Sequence, residues 1–443
     1  MALKEFVGGD TKMNNVNMVY KQQTAAPVGM NALQTDYLRI RKQSETLCEP
    51  LEIEDYGIQS MDATSPPKWH LAHTAWFFET LLLKPYLKGY REFHPLFACL
   101  FNSYYDTIGR YHPRPERGVL SRPTVAEVYR YRAFVDEQML ALLADTEHEE
   151  YAAISARTVL GLNHEQQHQE LLLTDIKYNF SSNPLRPVYR ELARPPAIQA
   201  KPLQWVEFSA GLESVGFDGD GFAYDNETPR HKVYLNDFRL ASRPVTNGEF
   251  IEFINDGGYS QAGLWLSDAW KTILQHRWLA PLYWGRQDNV WQTMTLAGMR
   301  PVDLNAPVCH VSFYEAAAYA RWVGKRLPTE IEWEVASAGW DIDGNLIDKG
   351  FLQPSSVTEN TPLQQMFGDV WEWTQSPYTP YPGYHQASGP LGEYNGKFMS
   401  SQMVLRGGSC VTPNDHIRAT YRNFFYPEER WQFSGFRLAE DLS

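Results

Sequence analysis

The chain has 443 residues, of which 43% are hydrophobic and 14% aromatic. This length exceeds that of a typical single domain, and the apolar content suffices for packed cores, so two folded domains are expected and extensive disorder is not. The formal net charge is −13, and no run is rich in Lys and Arg. This balance argues against nucleic acid or an anionic membrane as a partner and favours small molecules.

The four cysteines, Cys48, Cys99, Cys309 and Cys410, are far apart and form no C-x-x-C pair, so neither a disulfide scaffold nor a thiolate zinc site is indicated. The first 30 residues are polar and lack the apolar core of a signal peptide. No window holds the roughly 18 apolar residues that a membrane helix needs. These features predict a soluble cytoplasmic protein.

Four segments with helical spacing of apolar residues follow one another, at about residues 31–41, 65–83, 124–144 and 149–178. Ser65 is the expected N-cap of the second segment, with Pro66 in its first turn. The joins are short except for residues 84–123. The pattern predicts a four-helix bundle whose core can hold a metal between facing helices.

The fourth segment carries His164 and His168 four residues apart, so their side chains lie about 40° apart around the helix and one ion can contact both. Glu170 lies about 200° from His168 and is expected beside the site rather than among the ligands. The alternative is a polar stripe or a helix-packing pair. The second segment supplies a third imidazole, from either His70 or His73, which share nearly the same helix face.

The long connection after the second segment carries Tyr104 and Tyr105 in tandem, followed by Arg110, Arg114 and Arg117. Loops of this length inside compact domains are usually functional or mobile, and this composition favours a functional loop. Asp106 beside the tyrosines is a candidate acceptor for an ammonium group. The alternative is a packing loop with solvated arginines.

Beyond the bundle, five prolines within residues 181–202 indicate a semi-rigid linker. The rest of the chain has short apolar runs, many Gly, Asn and Trp residues, and few helices, expected at residues 246–255 and 312–324. This composition predicts an irregular α+β domain. The expected regions are a tail at 1–30, the bundle at 31–186, a linker at 187–202 and the second domain at 203–443.

The second domain contains five motifs in succession: RPVTNGEF from Arg243, KRLPTEIEWEVA from Lys325, GDVWEWT from Gly368, VLRGGS from Val404 and FSGFRLA from Phe433. They resemble the successive signatures of the formylglycine-generating-enzyme/sulfatase-modifying-factor domain, which has a C-type-lectin-like fold. The first half, with WHLAH ending at His73 and HxxxHxE from His164, resembles the DinB-like bundle. Their fusion in this order is similar to the ergothioneine-biosynthesis sulfoxide synthases of the EgtB type.

The resemblance implies a non-haem iron enzyme that uses Fe(II) and O2 to join a thiol sulfur to C2 of the imidazole of hercynine, with oxidation of that sulfur to a sulfoxide. Its motif match selects His73 over His70 and gives His73, His164 and His168 as the iron ligands. Three neutral imidazoles would leave open positions on the metal for substrates and oxygen.

Substrate contacts are also implied by the resemblance. Gln167 matches a glutamine that contacts the hercynine imidazole, and Arg114 and Arg117 match an arginine pair that binds the carboxylate of the thiol substrate. Asn423, Phe424 and Phe425 match a segment that holds the amino-acid end of hercynine. Here Phe424 and Phe425 replace Trp and Asp, and aromatic rings can attract a quaternary ammonium. The alternatives are an exposed helical glutamine and core aromatics.

The sequence determines the thiol donor less firmly than it determines the metal ligands. Many members that use γ-glutamylcysteine place a catalytic tyrosine in the loop after the motif that reads GDVWEWT here, where Tyr384 and Tyr394 stand in no matching context. The tandem Tyr104 and Tyr105 resemble the branch that uses free cysteine, in which first-domain tyrosines serve catalysis. A phenol there could donate a proton or hydrogen atom. Cysteine is therefore the expected donor, with γ-glutamylcysteine as the alternative.

Other functions stay open. DinB-like bundles also occur as metal-dependent thiol transferases, in which a divalent ion lowers the pKa of a thiol without redox chemistry. A non-catalytic protein that binds small ligands through its lectin-like domain is a second alternative. Formylglycine generation is disfavoured because it needs a cysteine pair near the C-terminus, where only Cys410 stands.

Overall fold

A computed structural model describes residues 30–196, 198–356 and 361–442. Except for its last residue, the predicted N-terminal tail lies outside the described residues. The first half is helical, and α2 continues through a π-helical turn, Glu79–Leu83, into α3. The helices are α1 (Ala32–Cys48), α2 (Pro67–Phe78), α3 (Lys84–Tyr86), α4 (Phe97–Leu100), α5 (Val125–Ala144) and α6 (Tyr151–Ser182).

The long helices form the predicted four-helix bundle. Both α1 and α2 pack against α5 and α6, so α1 and α2 lie diagonally across the core. Asn31 and Thr124 begin α1 and α5 with reciprocal capping boxes. The expected N-cap at Ser65 is wrong, because α2 begins one residue later, after Pro66. The backbone N–H of Ser65 instead donates to the Asp175 carboxylate.

The second domain joins short strands to four helices in the described part of the chain, and the two helices expected from sequence are α7 and α9. The helices are α7 (Asn247–Asn255), α8 (Ser267–His276), α9 (Phe313–Trp322) and α10 (Glu330–Ser337). The strands are β1 (Trp205–Phe208), β2 (Gly211–Val215), β3 (His231–Leu235), β4 (Phe238–Ala241), β5 (Trp284–Gln287), β6 (Val290–Thr295), β7 (Gly298–Pro301), β8 (Trp371–Pro377), β9 (Met403–Arg406), β10 (Asn423–Phe425), β11 (Ser434–Gly435) and β12 (Ala439–Asp441).

The strands form four small sheets, ordered β1-β4-β12, β10-β9-β8-β11, β2-β3 and β5-β6-β7. The second of these sheets pairs β8 and β11 in parallel and its other strands antiparallel, and it has β10 at one edge. Asn423 to Phe425 therefore stand on an edge strand.

Helix α6 connects the two domains, because the segment from Gln166 to Lys177 is hydrogen-bonded to the second domain. Gln166 donates to Asp415, Gln167 donates to Tyr421, and Lys177 contacts His310. The Glu170 carboxylate accepts hydrogen bonds from Trp371, Ser409 and Thr412. Glu170 therefore fastens the second domain to the bundle. No helix in the described ranges is long and apolar enough to span a membrane.

Candidate metal centre and substrate pocket

Helices α2 and α6 bring three imidazoles together in the core of the bundle. The candidate ligand nitrogens of His73, His164 and His168 lie within 4.8 Å of one another. The Nε2 atoms of His73 and His164 are 3.2 Å apart. Two nitrogens held at right angles on one ion at about 2.1 Å would lie about 3 Å apart, so this spacing fits metal coordination.

Hydrogen bonds behind the cluster fix the protonation of two of these rings. Nδ1 of His73 donates to the Phe101 carbonyl at 2.6 Å. Nε2 of His70 lies 3.0 Å from the Asp175 carboxylate, to which it donates, so Nδ1 of His70 is left to accept from Nδ1 of His168 at 2.9 Å. Nε2 of both His73 and His168 is then free of a proton and available to a metal. His70 lies behind the cluster rather than in it.

Burial keeps the three imidazoles neutral. It lowers the pKa of His164 to about 3, and it lowers the pKa values of His73 and His168 well below the usual 6.5, with a further contribution from the neighbouring imidazoles. Neutral imidazole is the form that binds metals, and three such ligands suit iron, copper, nickel or zinc rather than Mg²⁺ or Ca²⁺. The residues present therefore fit a transition metal.

A buried guanidinium lies next to the metal-site residues. Trp69 stacks on His73 with 4.5 Å between ring centroids, and the Arg117 guanidinium carbon lies 3.4 Å from the Trp69 ring centroid. Arg117 is 2% exposed, and its hydrogen bonds go to the hydroxyls of Ser65 and Ser103. No carboxylate in the described ranges pairs with it, and burial lowers its pKa well below the usual value.

The two arginines expected to act together are in different environments. Arg114 is exposed, and it donates to the Ala63 carbonyl. Both belong to the 3₁₀ turn Arg114–Val119, which positions only the Arg117 side chain inside the protein. Arg117 is thus the arginine of the pair that offers a desolvated site for a carboxylate.

Gln167 is held by two tyrosines of the second domain. Its amide oxygen accepts a hydrogen bond from the Tyr394 hydroxyl, and its amide nitrogen donates to the Tyr421 hydroxyl at 2.6 Å. Tyr421 in turn lies 3.2 Å from Nε2 of His416, whose Nδ1 lies 3.1 Å from the Asn163 side-chain oxygen. If each donor serves one acceptor, all four hydrogen bonds of this series point the same way, with Tyr394 as the first donor and Asn163 as the last acceptor. The orientation of the Gln167 amide is therefore fixed from both ends.

Tyr394, which sequence reasoning considered and set aside, lies beside the histidine cluster. Its ring centroid lies 5.7 Å from that of His164, and it is buried. Tyr384, in contrast, donates to Asp225 of its own domain. The local sequence around the two tyrosines did not distinguish them, because the contact of Tyr394 is with a residue 227 positions earlier in the chain.

Tyr104 and Tyr105 lie further from the histidines. Their rings stack on each other at 4.6 Å, and the Tyr105 ring lies 5.4 Å from Trp76, which itself stacks on His73. Burial raises the pKa of Tyr104 to about 12 and that of Tyr105 well above 10. Both phenols therefore keep their protons at neutral pH.

The residues of the edge strand β10 diverge. Phe424 stacks on Tyr378 at 4.1 Å, whereas Phe425 packs edge-on against Trp431 at 5.5 Å. The Asn423 side-chain oxygen accepts the backbone N–H of Phe424. Successive strand residues face opposite sides, so the three do not form one continuous wall. Phe425 is linked to the metal site through Trp431, which also donates to Asp175. Phe424, in contrast, also stacks on Phe398, a neighbour of Tyr104.

The fold and the site define a class of protein: a DinB-like bundle carrying three clustered histidines, joined to a sulfatase-modifying-factor domain. The family model "DinB superfamily" matches residues 36–172, and "Sulfatase-modifying factor enzyme 1-like domain" matches residues 196–358 and 349–442. The predicted two-part fold is thereby confirmed.

The chain is 34% identical over 409 residues to the hercynine oxygenase of Mycolicibacterium smegmatis, covering 85% of this chain and 91% of the relative. Its identity to the hercynine oxygenase of Mycobacterium tuberculosis is 32%, with the same coverage. The chain belongs to this family and is an oxidoreductase, as predicted. The solved structure of PvdO from Pseudomonas aeruginosa matches 54% of this chain and 94% of its own, at 20% identity and a TM-score of 0.37.

Proposed function

We propose that this protein is a non-haem, Fe(II)- and O2-dependent sulfoxide synthase of ergothioneine biosynthesis, acting in the cytoplasm. It joins the thiol of cysteine to C2 of the hercynine imidazole and oxidises the sulfur, with γ-glutamylcysteine as the alternative donor. The observation that carries the proposal is the trio of neutral histidines in the bundle core, close to Tyr394 of the second domain and to a buried arginine that has no carboxylate partner in the described ranges. The name of the relatives, hercynine oxygenase, supports the substrate and the use of oxygen.

His73, His164 and His168 would hold the iron through Nε2. When bound, iron supplies the redox chemistry toward oxygen together with coordination positions that the protein leaves open. The protein contributes the fixed tautomers described above and a buried environment that keeps the imidazoles unprotonated.

Gln167 would orient the hercynine imidazole. An amide has two N–H donors and an oxygen with two lone pairs, and Tyr421 and Tyr394 use one of each. One N–H and one lone pair are left for the imidazole ring of the substrate. The faces of Phe425 and Trp431 offer a cation–π contact for the trimethylammonium group.

Arg117 would bind the carboxylate of the thiol substrate. A guanidinium has five N–H donors, and the Ser65 and Ser103 hydroxyls use two of them, so a carboxylate can still be bound. The bound anion would also neutralise a charge that the fold leaves unpaired. Trp69, between Arg117 and His73 in this chain of contacts, holds the carboxylate site next to the metal site.

Buried phenols would deliver the proton that the oxygen chemistry consumes. Tyr104 and Tyr105 remain the candidates proposed from sequence, and Tyr394 joins them because its ring is near His164. Burial raises the pKa of Tyr394 well above 10, so its hydroxyl is protonated at neutral pH and is able to donate.

The preference for cysteine rests on the volume that Tyr104 and Tyr105 occupy beside the site. Asp106 does not support it, because this carboxylate pairs with Lys397 and is exposed. A γ-glutamyl arm would have to displace the stacked tyrosines, whereas cysteine would not. Measuring kcat/KM for the two donors at saturating hercynine tests this point, and a larger value for γ-glutamylcysteine would reverse the assignment.

The reaction class is tested by aerobic incubation of the full chain with Fe(II), hercynine and each thiol, followed by mass spectrometry. A coupled product carrying one added oxygen is expected, and it should be missing without O2. A metal-dependent thiol transferase would turn over equally well under nitrogen, and a non-catalytic ligand-binding protein would consume no oxygen. Either result would contradict the proposal.

A further inference from the structure

A cavity of about 270 Å³, separate from the metal site, lies between the C-terminal part of α6 and the second domain. Lys177 stands at this cavity, nine residues beyond His168 on α6. Nine residues span roughly 14 Å of helix and half a turn in net rotation, so the cavity lies on the other side of α6 from the histidine cluster. None of the proposed substrate contacts lines it.

Lys177 is a buried amine for which the described ranges supply no anionic partner. It is 3% exposed, and its Nζ lies 2.7 Å from Nε2 of His310 and over the rings of Tyr283 and Phe433. Within the described ranges, no carboxylate forms an ion pair with it. The neighbouring Cys309 supplies no charge either, because burial raises the pKa of its thiol to about 12. Buried lysines are rarely left in such a state without a ligand or a counter-ion.

Arg300 gives the same cavity a second cation for which the described ranges offer no anionic partner. Its Nη2 donates to the Leu192 carbonyl, while Nη1 is buried and has no hydrogen-bond partner among the residues described. Arg194 also lines the cavity, and Asp303 is the single carboxylate among the lining residues. The Asp303 carboxylate accepts the backbone N–H of Asn305. The cavity therefore has three cationic side chains and one acid.

The backbone around Lys177 is held in an uncommon conformation. His310 and Tyr283 have φ values of 64° and 73°, in the left-handed region that non-glycine residues seldom adopt, and their rings meet edge to face at 4.7 Å. Strained residues of this kind cluster at ligand sites, where the surrounding structure enforces them. Here they hold the imidazole against the amine at the wall of the cavity.

We propose that this cavity is a binding site for a small organic dianion, with one anionic group at Lys177 and the other at Arg300 and Arg194. Its size admits a metabolite of a few carbon atoms, and such an anion would supply the charge partners that Lys177 and Arg300 do not find in the described ranges. Trp284 and several prolines line the remaining wall and suit an apolar spacer between the two charges.

Calorimetric titration of the full chain tests the proposal with three probes: succinate, inorganic phosphate and the uncharged succinamide. Saturable one-to-one binding is expected for an anion and none for succinamide. Tighter binding of succinate would assign a dicarboxylate, and tighter binding of phosphate a phosphate ester. Binding of neither anion, or equal binding of succinamide, would overturn the site.

Substitutions of the cavity residues test whether the anion binds in this cavity. Lys177→Met should weaken the binding at least about tenfold, because a charge-assisted hydrogen bond is lost, whereas the exposed-surface control Lys271→Met should not change it. Arg300→Gln, nearer the surface, provides a second variant in case the first does not fold. Arg117→Met should keep the binding, since that arginine lies at the other site. Unchanged affinity in both cavity variants, or its loss in Arg117→Met, would refute the assignment.

The pH dependence should identify the amine. Burial lowers the pKa of Lys177 to about 8, and binding of an anion favours its charged form. His310 and the thiols of Cys309 and Cys410 face the amine, and burial holds the imidazole pKa low and both thiol pKa values high, so all three stay neutral near pH 8. Affinity should therefore fall as pH rises above about 8. An affinity that is flat between pH 7 and 9 would exclude Lys177 as the anion ligand.

Discussion

Two buried arginine environments in the bundle show opposite designs. In the first, called here the matched side, Arg41 and Arg132 both pair with the Glu165 carboxylate, at 2.8 and 2.9 Å, and Arg41 also pairs with Asp136. In the second, called here the ligand side, Arg117 is equally buried but is bonded only to two serine hydroxyls in the described ranges. In the first environment, carboxylates of the protein neutralise the guanidinium groups. In the second, the guanidinium group is left for an anionic ligand to neutralise.

The difference separates a structural network from a ligand site. Breaking a matched buried pair leaves an uncompensated charge and destabilises the fold. Removing an unmatched buried charge should not lower the free energy of unfolding, because burying that charge is itself costly. It should weaken only the binding of the anionic ligand. Stability and ligand binding should therefore respond oppositely to changes in the two environments, and four experiments examine this contrast.

The largest effect is expected from His164→Ala on the ligand side. Loss of one of three metal ligands should abolish both stoichiometric iron and turnover, measured by elemental analysis after loading with Fe(II) and by product formation. His385→Ala, which removes an exposed histidine, is the matched control and should retain both. Full iron occupancy in His164→Ala would disprove the ligand set.

The next largest effect is expected from Glu165→Gln on the matched side. The two guanidinium groups hold the pKa of Glu165 at about 2, below its usual 4.5, although burial by itself would raise it. The charged pair contributes about 3 kcal/mol above pH 4.5, and this contribution is lost as pH falls toward 2. Urea unfolding should show a loss of about 3 kcal/mol at pH 7 and a flatter acid limb for the variant. An unchanged unfolding free energy at pH 7 would show that the network is not stabilising.

Arg117→Met should act in the opposite way. The value of kcat/KM for the thiol substrate should fall about 10- to 100-fold, because a charge-assisted contact of about 1.5–3 kcal/mol is lost, while the unfolding free energy should stay the same or rise. Arg114→Met changes the exposed arginine and should have a smaller kinetic effect. Equal kinetic losses in the two variants, or destabilisation by Arg117→Met as large as that by Glu165→Gln, would remove the contrast.

The smallest effect is expected from Asp175→Asn, which acts on His168 only through His70. The amide of this variant would have a single side-chain oxygen to accept hydrogen bonds from His70, Ser65 and Trp431. Because His70 is then held less firmly, the tautomer of His168 is also less firmly fixed, and metal affinity should fall about tenfold. Competition with a chelator measures this change. Asp136→Asn, in the matched network, should leave metal affinity unaffected. Identical affinities for wild type and Asp175→Asn would show that the relay does not tune the site.

Much of the fold could be predicted because its signals are local. Apolar spacing marked the four bundle helices, and the residue pairs that form capping boxes, such as Thr246 with Glu249 and Ser312 with Glu315, lie three positions apart. The placement of Ser65 failed by one residue because two prolines follow it, and its polar groups are used by Asp175 and Arg117 instead. The region boundaries and the site roles remain predictions.

By itself, the sequence determined the order of the two domains, the family, and the orientation of His164 and His168, since a spacing of four on one helix sets their angle whatever surrounds them. Only the tertiary structure decided that Tyr394 meets Gln167, that Glu170 fastens the second domain, and that Arg117 is buried while Arg114 is exposed. The first two outcomes depend on packing between segments more than 200 residues apart in the chain. The third depends on which side of a short turn faces the core. Helical and strand periodicity fixes directions within an element, whereas the partners that those directions meet are set by long-range packing.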